Sequence, residues 1–337
     1  MSDIGVLGAG SWGTSLAVHL ARRGARVRLW TRRGDDAQTL RRERMNRRYL
    51  PNVPFPEGLE VSAELADMAG CDPVLVVVPS HGFRQVLQHY LRALPPGASR
   101  TVVSATKGIE MDSLARMSQV TFEEALAAER EVDYAVLSGP TFADELARGV
   151  PTAAVVASEE EPVARRLREQ LAGPELRLYS SPDVTGVELG GAAKNVVAIA
   201  AGVVSGLASG HNTLAALITR GLHEITRLGV ACGGQPRTFA GLAGLGDLVL
   251  TCTGPQSRNR QTGERLARGE TLEQIQAGRT MVAEGIRNSL AMHRLAGQKG
   301  VEMPIVSQMV AVLYEGLDVR VAIQELMTRE LKAEAEL

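Results

Sequence analysis

The chain has 337 residues, 45% of them hydrophobic, which is enough to bury a large core and favours division into two domains. Lys and Arg number 37 against 38 for Asp and Glu, so no whole-chain field draws in nucleic acid or an anionic membrane surface, and any anion site has to be local. The three cysteines, Cys71, Cys232 and Cys252, lie far apart in sequence, which argues against a disulfide framework and against a Cys-x-x-Cys metal or redox site.

Met1-Ser2-Asp3 runs directly into an apolar segment with no basic leader region and no small-residue cleavage site, so a reducing, cytoplasmic location is expected. Over residues 1–180, short apolar runs alternate with polar, helix-like stretches, the pattern of a parallel sheet covered on both faces. The predicted strands are Ile4–Leu7, Val27–Trp30, Val74–Val78, Thr101–Ala105, Tyr134–Leu137 and Ala153–Ala157. Several end in polar or glycine-bearing turns, among them Gly8-Ala9-Gly10, Thr31-Arg32-Arg33, Lys107-Gly108 and Ser138-Gly139-Pro140-Thr141, and ligands of open α/β sheets sit beyond such strand ends. The basic run from Arg41 to Arg48 reads as a solvated helix face rather than a nucleic-acid site.

Across residues 181–337 the strand-like runs give way to long segments with helical spacing, such as Glu188–Leu207 and Leu214–Leu228. A second, helical domain is therefore predicted there. The most apolar stretch, Val196 to Ala208, is shorter than the roughly 18 residues a membrane span needs, and it predicts a buried helix.

Gly8-Ala9-Gly10-Ser11-Trp12-Gly13 matches G-x-G-x-x-G, a weak signal alone that its context strengthens. It follows the first strand, opens a helix in which Leu16, Ala17 and Leu20 share a face, and has Gly24 placed to end that helix before the second strand. Gly8 suits the tight turn, Gly10 the approach of a pyrophosphate, and Gly13 the packing of helix on strand. The second strand ends in Thr31-Arg32-Arg33 instead of the acid that grips a ribose 2′-hydroxyl, which favours the 2′-phosphate of NADPH; the alternative is that both arginines point to solvent.

The chain resembles the bacterial NAD(P)-dependent glycerol-3-phosphate dehydrogenase family nearly end to end. Carrying the resemblance are the opening Gly8 to Thr14, Tyr49-Leu50-Pro51, Val78-Pro79-Ser80, Lys107-Gly108-Ile109-Glu110 and Ser138 to Ala143. The second half adds Glu188 to Asn195, Gly244-Leu245-Gly246-Asp247, Ser257-Arg258-Asn259 and Val282 to Gly285. The resemblance implies a Rossmann-type dinucleotide-binding domain followed by an all-α C-terminal domain like that of 6-phosphogluconate dehydrogenase, with the substrate in a cleft between them. It implies that Ser11, Trp12, Arg32, Arg33, Tyr49, Lys107, Ala143, Arg258, Val282 and Glu284 line the NADPH site, with NADH also possible. Lys107, Gly139, Thr141, Lys194, Asp247, Ser257, Arg258 and Asn259 are implied to meet dihydroxyacetone phosphate or sn-glycerol 3-phosphate, with Lys194 as the acid/base. A role in phospholipid synthesis and a homodimer are family-level expectations.

Residue chemistry is compatible with these roles. Reduction of a ketone develops negative charge on oxygen, so a positioned cation or proton donor is needed, and a lysine is both. Lys194 lies in a helical stretch with few other charges, where burial would lower its pKa; a snorkelling lysine is the alternative. Lys107 follows a central strand, and the alternative for it is a surface loop. Asp247 suits either orientation of Lys194, acceptance from a substrate hydroxyl, or capping of the segment from Leu248. Thr253 to Asn259 precedes a helix-like stretch and offers hydroxyl, guanidinium and amide donors for a phosphate, against capping by Ser257 alone. No histidine or cysteine spacing suggests a metal. Two rivals remain at this point: a β-hydroxyacid or 6-phosphogluconate-type dehydrogenase, and an NADPH-binding sensor without catalysis.

Overall fold

The computed structural model describes residues 3–277, 283–331 and 333. They form two compact units, one of residues 1–106 and 115–184, the other of residues 107–114 and 185–337. The segment Lys107–Leu114 thus packs with the helical half, although it directly follows a strand of the first unit. A single cut after Ser180 does not describe this division. The cause is Ile109, which is buried in the apolar core of the second unit with Leu189, Ala193 and Val196.

The first unit holds β1 (Asp3–Leu7), β2 (Val27–Trp30), β3 (Met45–Asn46), β4 (Leu50–Pro54), β5 (Leu59–Ser62), β6 (Cys71–Val76), β7 (Arg100–Ser104), β8 (Val132–Ser138), β9 (Thr152–Ala157) and β10 (Leu176–Ser181). Eight of these form one sheet in the order β10-β9-β8-β7-β6-β1-β2-β5, and β3 pairs with β4 in a separate hairpin. The Rossmann-like character expected from the alternating pattern is present, because β5, β2, β1, β6, β7 and β8 pair in parallel. One departure from an all-parallel sheet occurs where β9 meets β8 antiparallel, while β9 and β10 are parallel to each other. The reason is the connection: the helix Ala143–Ala147 has 5 residues. At ~1.5 Å per residue it cannot run back along a strand rising ~3.3 Å per residue, so the chain re-enters the sheet in reverse.

The basic run also folds differently from the expectation of one solvated helix face. The helix Gly34–Glu43 stops at Arg44, whose backbone is left-handed at φ 49°, and Met45 begins the hairpin. Arg41 Nε donates to the Val61 carbonyl at 2.7 Å and Arg44 donates to the Leu59 carbonyl at 2.7 Å, so two of these arginines tie the helix end to β5.

In the second unit the helices Val184–Gly206 and His211–Ala231 form the centre. Val184–Gly206 is longer than the apolar stretch read from sequence and meets the length and hydropathy of a membrane span, yet all of its most apolar window is buried within the protein. It is a core helix, as its apolar residues predicted. Close crossings fix its neighbours: a Cβ on Gly202 would lie 1.9 Å from the Arg260 carbonyl oxygen, and one on Gly263 would lie 1.9 Å from that of Ile199. These glycines let the helix Arg258–Ala267 sit against Val184–Gly206 at backbone contact.

Gly263→Ala should therefore destabilise the helical unit by ~1–3 kcal/mol or prevent its folding, as overpacking does. Among the described residues, nothing lies within 4 Å of where a Cβ on Gly297, inside the helix Glu284–Lys299, would stand. Gly297→Ala should raise stability by roughly 0.5–1 kcal/mol through helix propensity. Thermal unfolding of both variants checks the pair, and equal Tm changes would contradict the crossing argument.

Candidate active site

In the first unit the three fingerprint glycines have separate jobs. Gly8, at φ +124°, would place a Cβ 2.3 Å from the Val77 carbonyl oxygen, and Gly13 would place one 1.9 Å from the carbonyl oxygen of Gly8. These two glycines serve protein packing. Gly10 has nothing among the described residues within 4 Å of such a Cβ, so its smallness leaves open ground at the N-terminus of the helix Ser11–Arg22. That helix start has no side-chain cap, and its first N–H groups with the positive dipole end suit a pyrophosphate. The residues fit a dinucleotide.

Around this turn, Ser11 and Trp12 are half-buried, and Arg32 and Arg33 are exposed beyond β2. Tyr49 is half-buried with the Arg48 guanidinium 5.1 Å from its ring centre. Asn46, which sequence reasoning passed over inside the basic run, is buried and links these parts. Its Nδ2 donates to the Ala9 carbonyl and to Thr14 Oγ1, both at 2.9 Å, while its Oδ1 accepts from the Tyr49 N–H at 3.2 Å. Ser15 Oγ donates to the Ala143 carbonyl at 2.7 Å, which fixes the start of Ala143–Ala147 on the fingerprint helix. Gly139 follows β8 so closely packed that a Cβ would meet Ala154 Cα at 2.9 Å, and Thr141 Oγ1 donates to the Gly139 carbonyl at 3.2 Å.

In the second unit, Lys107, Lys194 and Asp247 come together although they are far apart in sequence. Lys194 Nζ lies 2.8 Å from Asp247 Oδ1, and Lys107 Nζ lies 2.6 Å from Asp247 Oδ2. Lys194 is 5% exposed and Asp247 1%. Asp247 is the first residue of the helix Asp247–Thr253, and its carboxylate oxygens face the two ammonium groups. Gly190, one turn before Lys194, allows this meeting: a Cβ there would come 2.9 Å from the Ala243 carbonyl in the π-helical turn Leu242–Gly246 that leads into Asp247. Thr251, which the sequence did not single out, accepts from Lys194 Nζ at 2.6 Å and donates to the Asp247 carbonyl at 2.6 Å.

Burial pulls the Lys194 ammonium down to about 8, with Asp247 opposing the shift and the Lys107 charge adding to it. Burial acts on Asp247 in the opposite sense, pushing it up, but the two ammonium groups outweigh it and hold the carboxyl below its usual range. Two cations share one carboxylate, which leaves one positive charge in excess. Burial raises the neighbouring Cys252 thiol to about 12, which keeps it protonated and removes it as a nucleophile.

Ser257 caps the helix Arg258–Ala267 by accepting from the Arg260 N–H at 3.2 Å, the bland role foreseen for it. Arg258 lies on the first turn of that helix, where desolvation lowers its guanidinium from the usual value and the Glu284 carboxylate opposes the shift. Asn259 is buried, with Nδ2 donating to Asn195 Oδ1 at 2.8 Å and Oδ1 accepting from the Gly285 N–H at 3.0 Å. Val282, implied for the cofactor by resemblance, lies outside the described residues. Among the described residues no cluster of metal-ligating side chains occurs.

Comparison with known proteins decides the family. Residues 3–164 match the family described as NAD-dependent glycerol-3-phosphate dehydrogenase N-terminus, and residues 183–324 match its C-terminus. The chain belongs to this family. A glycerol-3-phosphate dehydrogenase [NAD(P)+] of Geobacter sp. (strain M21) is 51% identical over 332 residues, 98% of each chain. The crystal structure of glycerol-3-phosphate dehydrogenase from Coxiella burnetii superposes with a TM-score of 0.93 at 42% identity, covering 97% of this chain and 99% of that one. A yeast glycerol-3-phosphate dehydrogenase structure at 22% identity shares the fold with a TM-score of 0.81. Membership on both halves disfavours the 6-phosphogluconate-type and sensor alternatives.

Asp247→Asn should leave the buried Lys194 ammonium and the half-buried one of Lys107 without their shared counter-charge and cost ~3–5 kcal/mol of stability. Adding Lys107→Met should restore part of that loss. A double-mutant cycle in Tm and denaturant midpoint checks this, and additive losses would show that the pair is not coupled.

Proposed function

We propose that the chain reversibly reduces the ketone of dihydroxyacetone phosphate to sn-glycerol 3-phosphate, as an NAD(P)-dependent oxidoreductase acting on CH–OH, with NADPH preferred over NADH. The observation that carries this reading is the buried Lys194–Asp247–Lys107 cluster, with distances of 2.8 and 2.6 Å, in a chain of this family. A cytoplasmic reaction supplying the phospholipid backbone fits the family.

A nicotinamide cofactor, when bound, would supply the hydride. Lys194 donates its proton to the carbonyl oxygen as negative charge grows there, and takes it back in the reverse direction. Lys107 adds a second cation close to the same carboxylate and lowers the energy of the developing alkoxide. Asp247 holds both ammonium groups, and Thr251 accepts from Lys194 so that its remaining hydrogens are directed. The substrate phosphate is assigned to Arg258 and the first-turn N–H groups of Arg258–Ala267, with Ser257 and Asn259 shaping that helix start and Gly139 and Thr141 as further substrate contacts. The cofactor is assigned to Gly8, Gly10, Ser11, Trp12, Gly13, Arg32, Arg33, Tyr49, Lys107, Ala143, Arg258 and Glu284.

Lys194→Met keeps side-chain length and helix propensity while deleting the proton donor. Its kcat with dihydroxyacetone phosphate should fall at least ~100-fold, with NADPH affinity within a few fold. Because Lys194 must be charged to reduce and neutral to oxidise, the parental kcat for reduction should fall as pH rises through about 8, while that for oxidation rises. A reduction rate flat from pH 7 to 9.5 together with an active Lys194→Met chain would reject the assignment.

For the cofactor, Arg32→Ala with Arg33→Ala should weaken NADPH by roughly 1.5–3 kcal/mol per charged hydrogen bond lost and leave NADH nearly unchanged. Equal losses measured for both cofactors by fluorescence titration would remove the 2′-phosphate role.

A further inference from the structure

The carbonyl of Lys107 accepts from two side-chain amides, Asn195 Nδ2 at 3.3 Å and Asn288 Nδ2 at 3.1 Å. Asn288 sits in the helix Glu284–Lys299 and is fully buried. Its Nδ2 also donates to the Ala192 carbonyl at 3.1 Å, two residues before Lys194. Its Oδ1 is buried and has no hydrogen-bond partner among the described residues. A buried acceptor without a donor is a cost that an apolar side chain of similar shape would avoid. Asn288 is thus arranged around its two donors, and those donors hold the backbones of both lysine-bearing segments.

The remaining links close a ring. Asn195 Oδ1 accepts from Asn259 Nδ2 at 2.8 Å, and Asn259 Oδ1 accepts from the Gly285 N–H at 3.0 Å. Gly285 lies in the first turn of the same helix as Asn288, and the helix returns the chain of contacts to Lys107. The fit at this corner is tight, since a Cβ on Gly285 would lie 2.5 Å from the Asn195 carbonyl oxygen.

We propose that Asn288 is a positioning residue for the reaction: it sets the spacing between the Lys107 backbone and the helix that carries Lys194, so that the two ammonium groups meet opposite oxygens of Asp247. The inference rests on the reading of Lys194 as proton donor, and Asn288 acts on it through two backbone carbonyls. The charged and titratable groups facing Lys194 are Asp247, Lys107 and Cys252. If Lys107 drifts from its place, its charge depresses Lys194 less and Asp247 is left more fully to Lys194. Both changes raise the Lys194 pKa and move the alkaline fall of the reduction rate to higher pH.

The test is Asn288→Leu in the full chain, assayed from pH 6 to 10 with NADPH and dihydroxyacetone phosphate, beside Lys194→Met. A displacement of an ångström costs up to about 100-fold in rate, so kcat should fall about tenfold or more. NADPH affinity and KM should stay within roughly twofold and Tm should hold or rise, while the alkaline limb moves upward. With Lys194→Met inactive, an Asn288→Leu chain of parental kcat and unshifted limb overturns the proposal, as does one whose Tm falls while its limb stays in place. An active Lys194→Met chain overturns the underlying reading and this proposal with it. Should Asn288→Leu fail to fold, Asn288→Ser, which keeps one donor, must show the same limb shift with a smaller loss of kcat, and parental behaviour there overturns it equally.

Discussion

Two ammonium groups held on a single buried carboxylate set the terms for the helical unit. Removing charges from water costs several kcal/mol per ion unless partners are supplied with good geometry, so Asp247 must reach Lys194 and Lys107 together. Two features of the backbone make that possible. Gly190 lets the π-helical turn before Asp247 press against the helix of Lys194, and Ile109 anchors Lys107–Leu114 in the core of the helical unit.

The excess of one positive charge in this cluster also explains how a chain of net charge −1 handles anions. A global field is not required when cations are buried, because Coulomb interactions at low effective dielectric are several times stronger than at the surface. The same burial pulls Lys194 down to about 8.

Much of this was legible in the sequence, and the parts that were not share a cause. The fingerprint Gly8 to Gly13 is a local pattern that follows one strand and opens one helix, and the strand Ile4–Leu7 announces itself as a continuous, fully buried run. The antiparallel entry of β9 depends on the length of a connection, and the end of the helix at Glu43 depends on Arg41 and Arg44 reaching β5. Composition does not encode either. Asn46, Thr251 and Asn288 were equally silent, since each is a common polar residue whose meaning lies in partners such as Ala9, Lys194 and Lys107.

Asparagine recurs at these silent positions for a physical reason. A carboxamide is neutral, so it is buried more cheaply than a charge, yet it donates twice and accepts through a second atom. Asn46 uses both ends to join the fingerprint turn to Tyr49, and Asn259 uses both to join two helices. Carboxamides beside the lysine cluster add no charge to the balance among Lys194, Lys107 and Asp247. An aspartate or lysine in the place of Asn288 would shift the very pKa it helps to hold. Fixing backbones with neutral groups leaves the charge to three residues, so the carboxamides act on the proton affinity of Lys194 only through the spacing of those three.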